Sequence, residues 1–197
     1  YNLVKQKRNI SLPFIKFLHA YLSKCLNKPI NNYLNKNNRM ILKKCNGIIF
    51  QSELSKKMHS KFIGESEVLK TSILNGVPCD KFHPKKDEVY LEGFPKLVIT
   101  ASFRLHKRLQ DAIGLTNHLK LKYPKVKLHI LGNMDILTQE HIKNLDTSNC
   151  KFHGQVKSEI LPNFYSSCDI GLSPSMFDPC PNSVIEMMAC GLPVVSV

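Results

Sequence analysis

Two carboxylates and a helix start stand close together near the end of the chain. Asp178 lies in a proline-bracketed loop, Asp178-Pro179-Cys180-Pro181, and Glu186 follows eight residues later in a helix opened by Asn182 and Ser183. Each proline fixes φ and removes a donor, so the loop is stiff. Asn182 and Ser183 are side chains suited to helix capping, and Gly191 and Pro193 stop the helix. Free N–H groups and the dipole at a helix N-terminus favour an anion such as phosphate. Glu186 then sets an acceptor for sugar hydroxyls about one turn away from that anion. The pair does not read as a metal site, because no D-x-D or His–carboxylate cluster stands nearby. A solvent-facing Glu in the favourable first turns would be the plainer account of Glu186. Against it, Val184, Ile185, Met187, Met188 and Ala189 make the helix apolar nearly all round. Such a helix is buried, and a Glu within it needs a partner.

A second group is cationic. Arg104, Lys107 and Arg108 fall between a predicted strand and the helix after it. Cations there can face a diphosphate, and an Arg can do so through two parallel hydrogen bonds. A helix-flanking surface cluster would have the same composition. The shared sheet edge with the 173–182 loop favours the ligand-facing reading.

The elements that position these groups are regular from Lys96 onward. Strands are predicted over 97–102, 126–131, 150–153, 169–172 and 194–197. Helices are predicted over 106–123, 138–145, 158–167 and 182–190. Strands alternating with helices imply an α/β fold with a doubly wound parallel sheet, and ligands of such sheets bind beyond the C-terminal strand ends. The 102–107 loop, Gly132, Gly154 and the 173–182 loop all fall at that edge. Upstream, apolar spacing predicts helices over 12–27 and 30–45, a strand at 47–50, a helix capped by Ser52, and a strand over 69–74 ended by the turn pair Asn75-Gly76. The stretch that follows is rich in Pro, Lys and Asp and lacks periodicity. The expected organisation is a partial N-terminal domain over 1–84, a linker over 85–95 and a Rossmann-like domain over 96–197.

Composition bounds the partners. The chain has 197 residues, 43% of them hydrophobic, with no apolar run approaching the length of a membrane span. It lacks an initiator Met and stops inside an apparent strand, so it reads as a fragment. Seven cysteines at wide spacings, without a C-x-x-C pair, favour a reducing compartment and a cytoplasmic location over a disulfide framework or zinc site. The net charge of +13 is lopsided: residues 1–70 carry 14 Lys/Arg against 3 Asp/Glu. That field suits peripheral association with an anionic membrane face, or a nucleic acid. A solvated Lys-rich face is the bland account, and no basic–aromatic interleaving marks a nucleic-acid site.

The run Asp178-Pro179-Cys180-Pro181-Asn182-Ser183-Val184-Ile185-Glu186-Met187-Met188-Ala189-Cys190-Gly191-Leu192-Pro193-Val194-Val195 resembles the sugar-nucleotide signature of glycosyltransferase family 4, the glycosyl transferases group 1 of the GT-B fold. That signature has two acidic residues separated by seven, then A-x-G-x-P-V-V. The resemblance implies that Glu186 holds the donor's ribose hydroxyls and that Asp178, usually Glu and here one methylene shorter, lies near the donor sugar. It implies that the N–H groups of Asn182, Ser183 and Val184 meet the diphosphate. Lys107 matches the family's diphosphate lysine. Ser102 stands where the family's arginine is usual, and Arg104 is its expected substitute. Gly132 and Gly154 complete the expected donor-binding set. Residues 49–56, 73–84, 152–154 and 168–175 also resemble family segments, so the likeness covers about 45–197.

The implied activity is retaining transfer of a sugar from a nucleotide diphosphate sugar, without metal or other cofactor, to an unidentified acceptor: a lipid, polysaccharide, protein or small molecule. Lys107, Arg104, Glu186 and Asp178 are the expected catalytic set. Acid/base residues of the first domain are expected upstream of Tyr1, so that the chain alone binds donor without turning over. Two other readings stand beside this one. A non-catalytic nucleotide-binding module is motivated by Asp178 and Ser102, and a basic nucleic-acid-binding protein by the N-terminal charge.

Overall fold

A computed structural model describes residues 44–63, 68–85, 89–176, 178 and 180–196. The helices expected over 12–27 and 30–45 lie outside these residues, apart from Lys44 and Cys45. The described chain divides between Ile73 and Leu74 into two compact units.

In the first unit, β1 (Gly47–Phe50) and β2 (Leu69–Ser72) pair in parallel, from Gly47↔Leu69 to Phe50↔Ser72. Helix α1 (Glu53–Ile63) joins them. Ser52 caps it as its position predicts, its Oγ accepting the Ser55 N–H at 3.1 Å.

The second unit holds β3 (Lys96–Thr100), a 3-10 turn at Leu105–Lys107, α2 (Leu109–Lys120), β4 (Lys127–Leu131) and α3 (Ile136–Ile142). There follow β5 (Cys150–Gly154), α4 (Leu161–Ser166), β6 (Ile170–Ser173), α5 (Asn182–Ala189) and β7 (Val194–Ser196). All five strands are parallel, in the order β5-β4-β3-β6-β7. The near-continuous apolar runs of β3 and β4 are those of strands covered on both faces, and period-two alternation divides them. Leu97, Ile99, Leu128 and Ile130 pack with Leu109, Ala112 and Ile113 of α2 and Ile142 of α3. Val98 and Leu131 pack on the other face with Phe164 and Tyr165 of α4 and Met187 of α5. Gly171 in β6 lets α5 lie close: a Cβ there would stand 2.6 Å from Met187 Sδ and 3.2 Å from a Val194 methyl. The central β3 has β4 on one side and β6 on the other, so the chain reverses its winding between β3 and β6. The crevice at such a switch point is where doubly wound sheets bind ligands.

Two expectations change. The helix read over 106–123 is interrupted, because Arg108 takes a left-handed conformation (φ 52°, ψ 45°) between the 3-10 turn and α2. Residues 74–84, read as part of the first domain, and 85–95, read as a linker, belong to the second unit. Phe82 is buried among Val98, Leu131 and Tyr165. The amides of Lys85 and Val89 donate to Ser166 Oγ and Ser167 Oγ, both at 2.9 Å. Phe82, Lys85 and Val89 pin this strap at separate points, which leaves no period in its sequence.

The strap also reaches a buried imidazole. His129, in β4, hydrogen-bonds through Nε2 to the Glu92 carbonyl at 3.1 Å and through Nδ1 to His153 Nε2 at 3.0 Å. A carbonyl only accepts, so His129 Nε2 carries the proton and neutral Nδ1 accepts from His153. Burial holds both imidazoles below their ordinary pKa.

Candidate functional site

Three loops at the C-terminal strand ends are tied into one rim. After β3, the buried Phe103 donates its N–H to the Asn133 carbonyl at 2.8 Å and accepts from the Asp135 amide at 3.1 Å, which joins the loop after β4. Asp135 caps α3 through the Thr138 amide at 2.8 Å. The Met176 amide donates to the His106 carbonyl at 2.9 Å, which joins the loop after β6. Gly132 sits where these loops crowd. Its φ is +130°, and a Cβ would fall 1.8 Å from the Ala101 carbonyl oxygen. Its N–H donates to the Gly154 carbonyl at 2.7 Å, so that donor is committed to the fold. Gly154 is exposed, also at positive φ, with open space around its Cα.

The three cations diverge. Lys107 Nζ meets Asp178 Oδ2 at 2.5 Å, with both side chains only 20% exposed. Arg108 turns to Asp111 in the first turn of α2. Arg104 is exposed at the head of the 3-10 turn. Of the sequence-predicted site, then, Lys107 and Asp178 are brought together, Arg104 stands open at the same loop, and Arg108 is engaged elsewhere.

The start of α5 differs from the capped one expected. Its N-cap is Pro181, which has no side chain to cap with, and Asn182 and Ser183 are the first two helical residues. The Val184 amide lies 3.1 Å from the Pro181 carbonyl, whereas those of Asn182 and Ser183 have no acceptor within the helix. The loop is held from a distance: Asn75 Nδ2 donates to the Cys180 carbonyl at 3.0 Å and to Asn182 Oδ1 at 2.8 Å. The sequence marks Asn75 as half of a turn pair within a family-like segment, and nothing in it points to this contact with the 180–182 loop.

Glu186 follows Asn182 by four residues and shares its helix face. The helix is less buried than its apolar sequence implies: within α5 only Met187 is fully buried, and Met188 is exposed on the outer face. Glu186 still has a partner, Tyr165, fully buried in α4, whose hydroxyl donates to Glu186 Oε2 at 3.4 Å. Burial raises the Glu186 pKa above the usual carboxylate value, while the Tyr165 hydrogen bond and the Lys81 charge oppose the rise. Burial pushes the Tyr165 hydroxyl strongly upward, so it remains a donor. The arrangement offers an anion the Lys107 ammonium, paired with Asp178, and two backbone amides that have no acceptor among the described residues, with a carboxylate one turn further for hydroxyls. Among the described residues, no helix is long and apolar enough to cross a membrane.

The model of the family described as "Glycosyl transferases group 1" matches residues 82–197. The chain is 28% identical over 156 residues to a glycogen synthase of Clostridium beijerinckii, covering 62% of this chain and 32% of that protein. It thus spans about a third of the length of the curated relatives that it matches. The fold resembles that of sucrose-phosphate synthase from Thermosynechococcus elongatus, with a TM-score of 0.71 and 21% identity over 82% of this chain and 43% of that one. It also resembles HepE of Anabaena in complex with UDP and glucose, with a TM-score of 0.64 and 19% identity over 82% and 48%.

Proposed function

Because this chain belongs to the glycosyl transferases group 1 family, we propose that it carries the donor side of an enzyme moving a sugar, with retention of configuration, from a nucleotide diphosphate sugar to an acceptor. One observation carries the reading: Lys107 stands at the switch-point crevice in a loop hydrogen-bonded to the one that leads into the uncapped start of α5. As the glycosidic bond to the diphosphate breaks, negative charge gathers on the leaving oxygens. Lys107, Arg104 and the Asn182 and Ser183 amides neutralise it, and groups already in place stabilise such charge without reorganising. Protein cations supply this neutralisation, so the reading needs no metal. Glu186, held by Tyr165, accepts from the ribose hydroxyls, and Asp178 faces the sugar.

The complex of HepE with UDP and glucose makes UDP and UDP-glucose the first probes. Calorimetry should show both binding the full chain and other sugar nucleotides ranking by base and sugar. Lys107→Ala and Glu186→Ala should each weaken binding about tenfold or more. Unchanged affinity in both variants would overturn the assignment.

A further inference from the structure

The start of α5 lacks a capping side chain of its own, yet the loop that leads into it is stiff and aimed. The support comes from Asn75, the second residue of the second unit, more than a hundred positions upstream. We propose that Asn75 is a positioning residue for the diphosphate: it does not touch the donor but sets the Cys180-Pro181-Asn182 loop that does. The inference rests on the donor reading above and adds to it a residue that the signature does not contain.

The geometry is specific. A primary amide has two N–H donors on one nitrogen, and Asn75 directs that nitrogen at two acceptors, the Cys180 carbonyl at 3.0 Å and Asn182 Oδ1 at 2.8 Å. Rotating the amide would turn its oxygen toward two other oxygens, so the orientation is fixed by the partners. The two acceptors flank Pro181, which has no N–H to anchor the loop and no side chain to cap the helix. Asn75 therefore staples across the proline in place of a cap. Because Asn182 spends Oδ1 on Asn75, its own amide nitrogen points away and remains a donor, beside the backbone N–H groups of Asn182 and Ser183. Asn75 is half-buried and Asn182 exposed, so the bond to the Cys180 carbonyl is the more sheltered half of the bridge.

The test compares wild type, Asn75→Ala, Asn75→Asp and Asn75→Gln on the full chain, titrated with UDP and separately with uridine. Uridine carries base and ribose without phosphate, so it reports the Glu186 end of the site alone. Loss of the bridge should raise the UDP dissociation constant about tenfold in Asn75→Ala. It should rise further in Asn75→Asp, whose carboxylate would face two oxygens, and recover in part in Asn75→Gln, which keeps the two donors. Uridine affinity should change less than about twofold, and the thermal midpoints should stay together. Equal weakening of UDP and uridine, or unchanged UDP binding in Asn75→Ala, would overturn the proposal and leave the donor reading intact. A wild-type chain that binds uridine or nothing, and UDP no better, would remove both.

Discussion

Lys107 Nζ lies 2.5 Å from Asp178 Oδ2 across the mouth of the crevice, although 71 residues separate the two in sequence. They meet because β3 and β6 are neighbours in the sheet, and each side chain is carried by the loop that leaves its strand. The ammonium proposed to meet a diphosphate is thus already paired with a carboxylate. An incoming anion competes with Asp178 for it.

That competition has a sign. Asp178→Asn should bind free UDP more tightly, by about threefold to tenfold, since a partly exposed pair is worth about 1 kcal/mol. Joined to an acceptor-binding domain, the same variant should transfer sugar from an intact donor more slowly, since Asp178 is proposed to face the sugar. Calorimetry with UDP alongside turnover of UDP-glucose checks both halves; weaker UDP binding in Asp178→Asn would refute the competition.

Glu186 makes binding pH-dependent. Its carboxyl titrates above 4.5 in the folded protein, chiefly because burial disfavours the charge. Between the unfolded and folded values the native state holds the extra proton. The stability from this group is therefore full below 4.5 and lost as pH rises through the folded value. Nucleoside affinity should run the other way, rising with pH as the carboxylate acceptor forms. Tyr165→Phe removes a hydrogen bond to that carboxylate and should move the binding midpoint to higher pH, while Glu186→Gln should abolish it. Uridine titrations across the acid range measure all three.

Two glycines should respond oppositely to alanine. Gly132→Ala drives a methyl into the Ala101 carbonyl at a left-handed φ. It should cost about 3 kcal/mol or more of unfolding free energy. Gly114 lies exposed within α2, where a Cβ meets nothing within 4 Å. Gly114→Ala should stabilise by about 0.5–1 kcal/mol. Denaturant unfolding of the two variants measures the contrast.

His129 should contribute to acid sensitivity. Its folded pKa lies below 6.5, first through burial and then through the charges of Lys96 and Lys127, with the Glu92 carbonyl opposing. Stability present above 6.5 is therefore lost as pH falls through the folded value. His129→Gln keeps a donor for Glu92 and an acceptor for His153 but removes the titration. Unfolding free energies of wild type and variant, followed from neutral to about pH 5, should converge as the pH falls. A constant gap would show that His129 does not titrate in this range.

The strands and the carboxylate pair were legible because local chemistry marks them: Leu97 to Thr100 is an apolar run with turn signals at its ends, and Pro193 ends α5. Arg108 was not legible, since arginine carries no mark of a left-handed conformation, and so one helix was read where a turn and a helix stand. Pro162 belongs to the first turn of α4, where its missing N–H costs nothing. That shortened a helix read from Ser158. The strap over 74–95 hid for another reason. Ser166, Ser167 and Phe82 secure it through contacts some eighty residues apart in sequence, and no window along the chain contains both partners. A separation of 21 residues likewise concealed Tyr165 as the partner of Glu186, although a largely apolar helix with one carboxylate signals that a partner is needed.

The place of β3 in the sheet also governs assembly. Leu97 can pair with Leu128 early, but its other edge waits for Ile170. Pairings this distant are slow to form. Strands β3, β4 and β5 with α2 and α3 can gather around one face of the core while β3 still presents an open, apolar edge, the kind of edge that invites association with other chains. Docking of β6 and β7 closes that edge and, in the same step, brings Asp178 to Lys107. The crevice is thus the seam between an early and a late half of the domain, and any ligand that bound only the closed seam would pull the folding equilibrium toward the closed form by mass action.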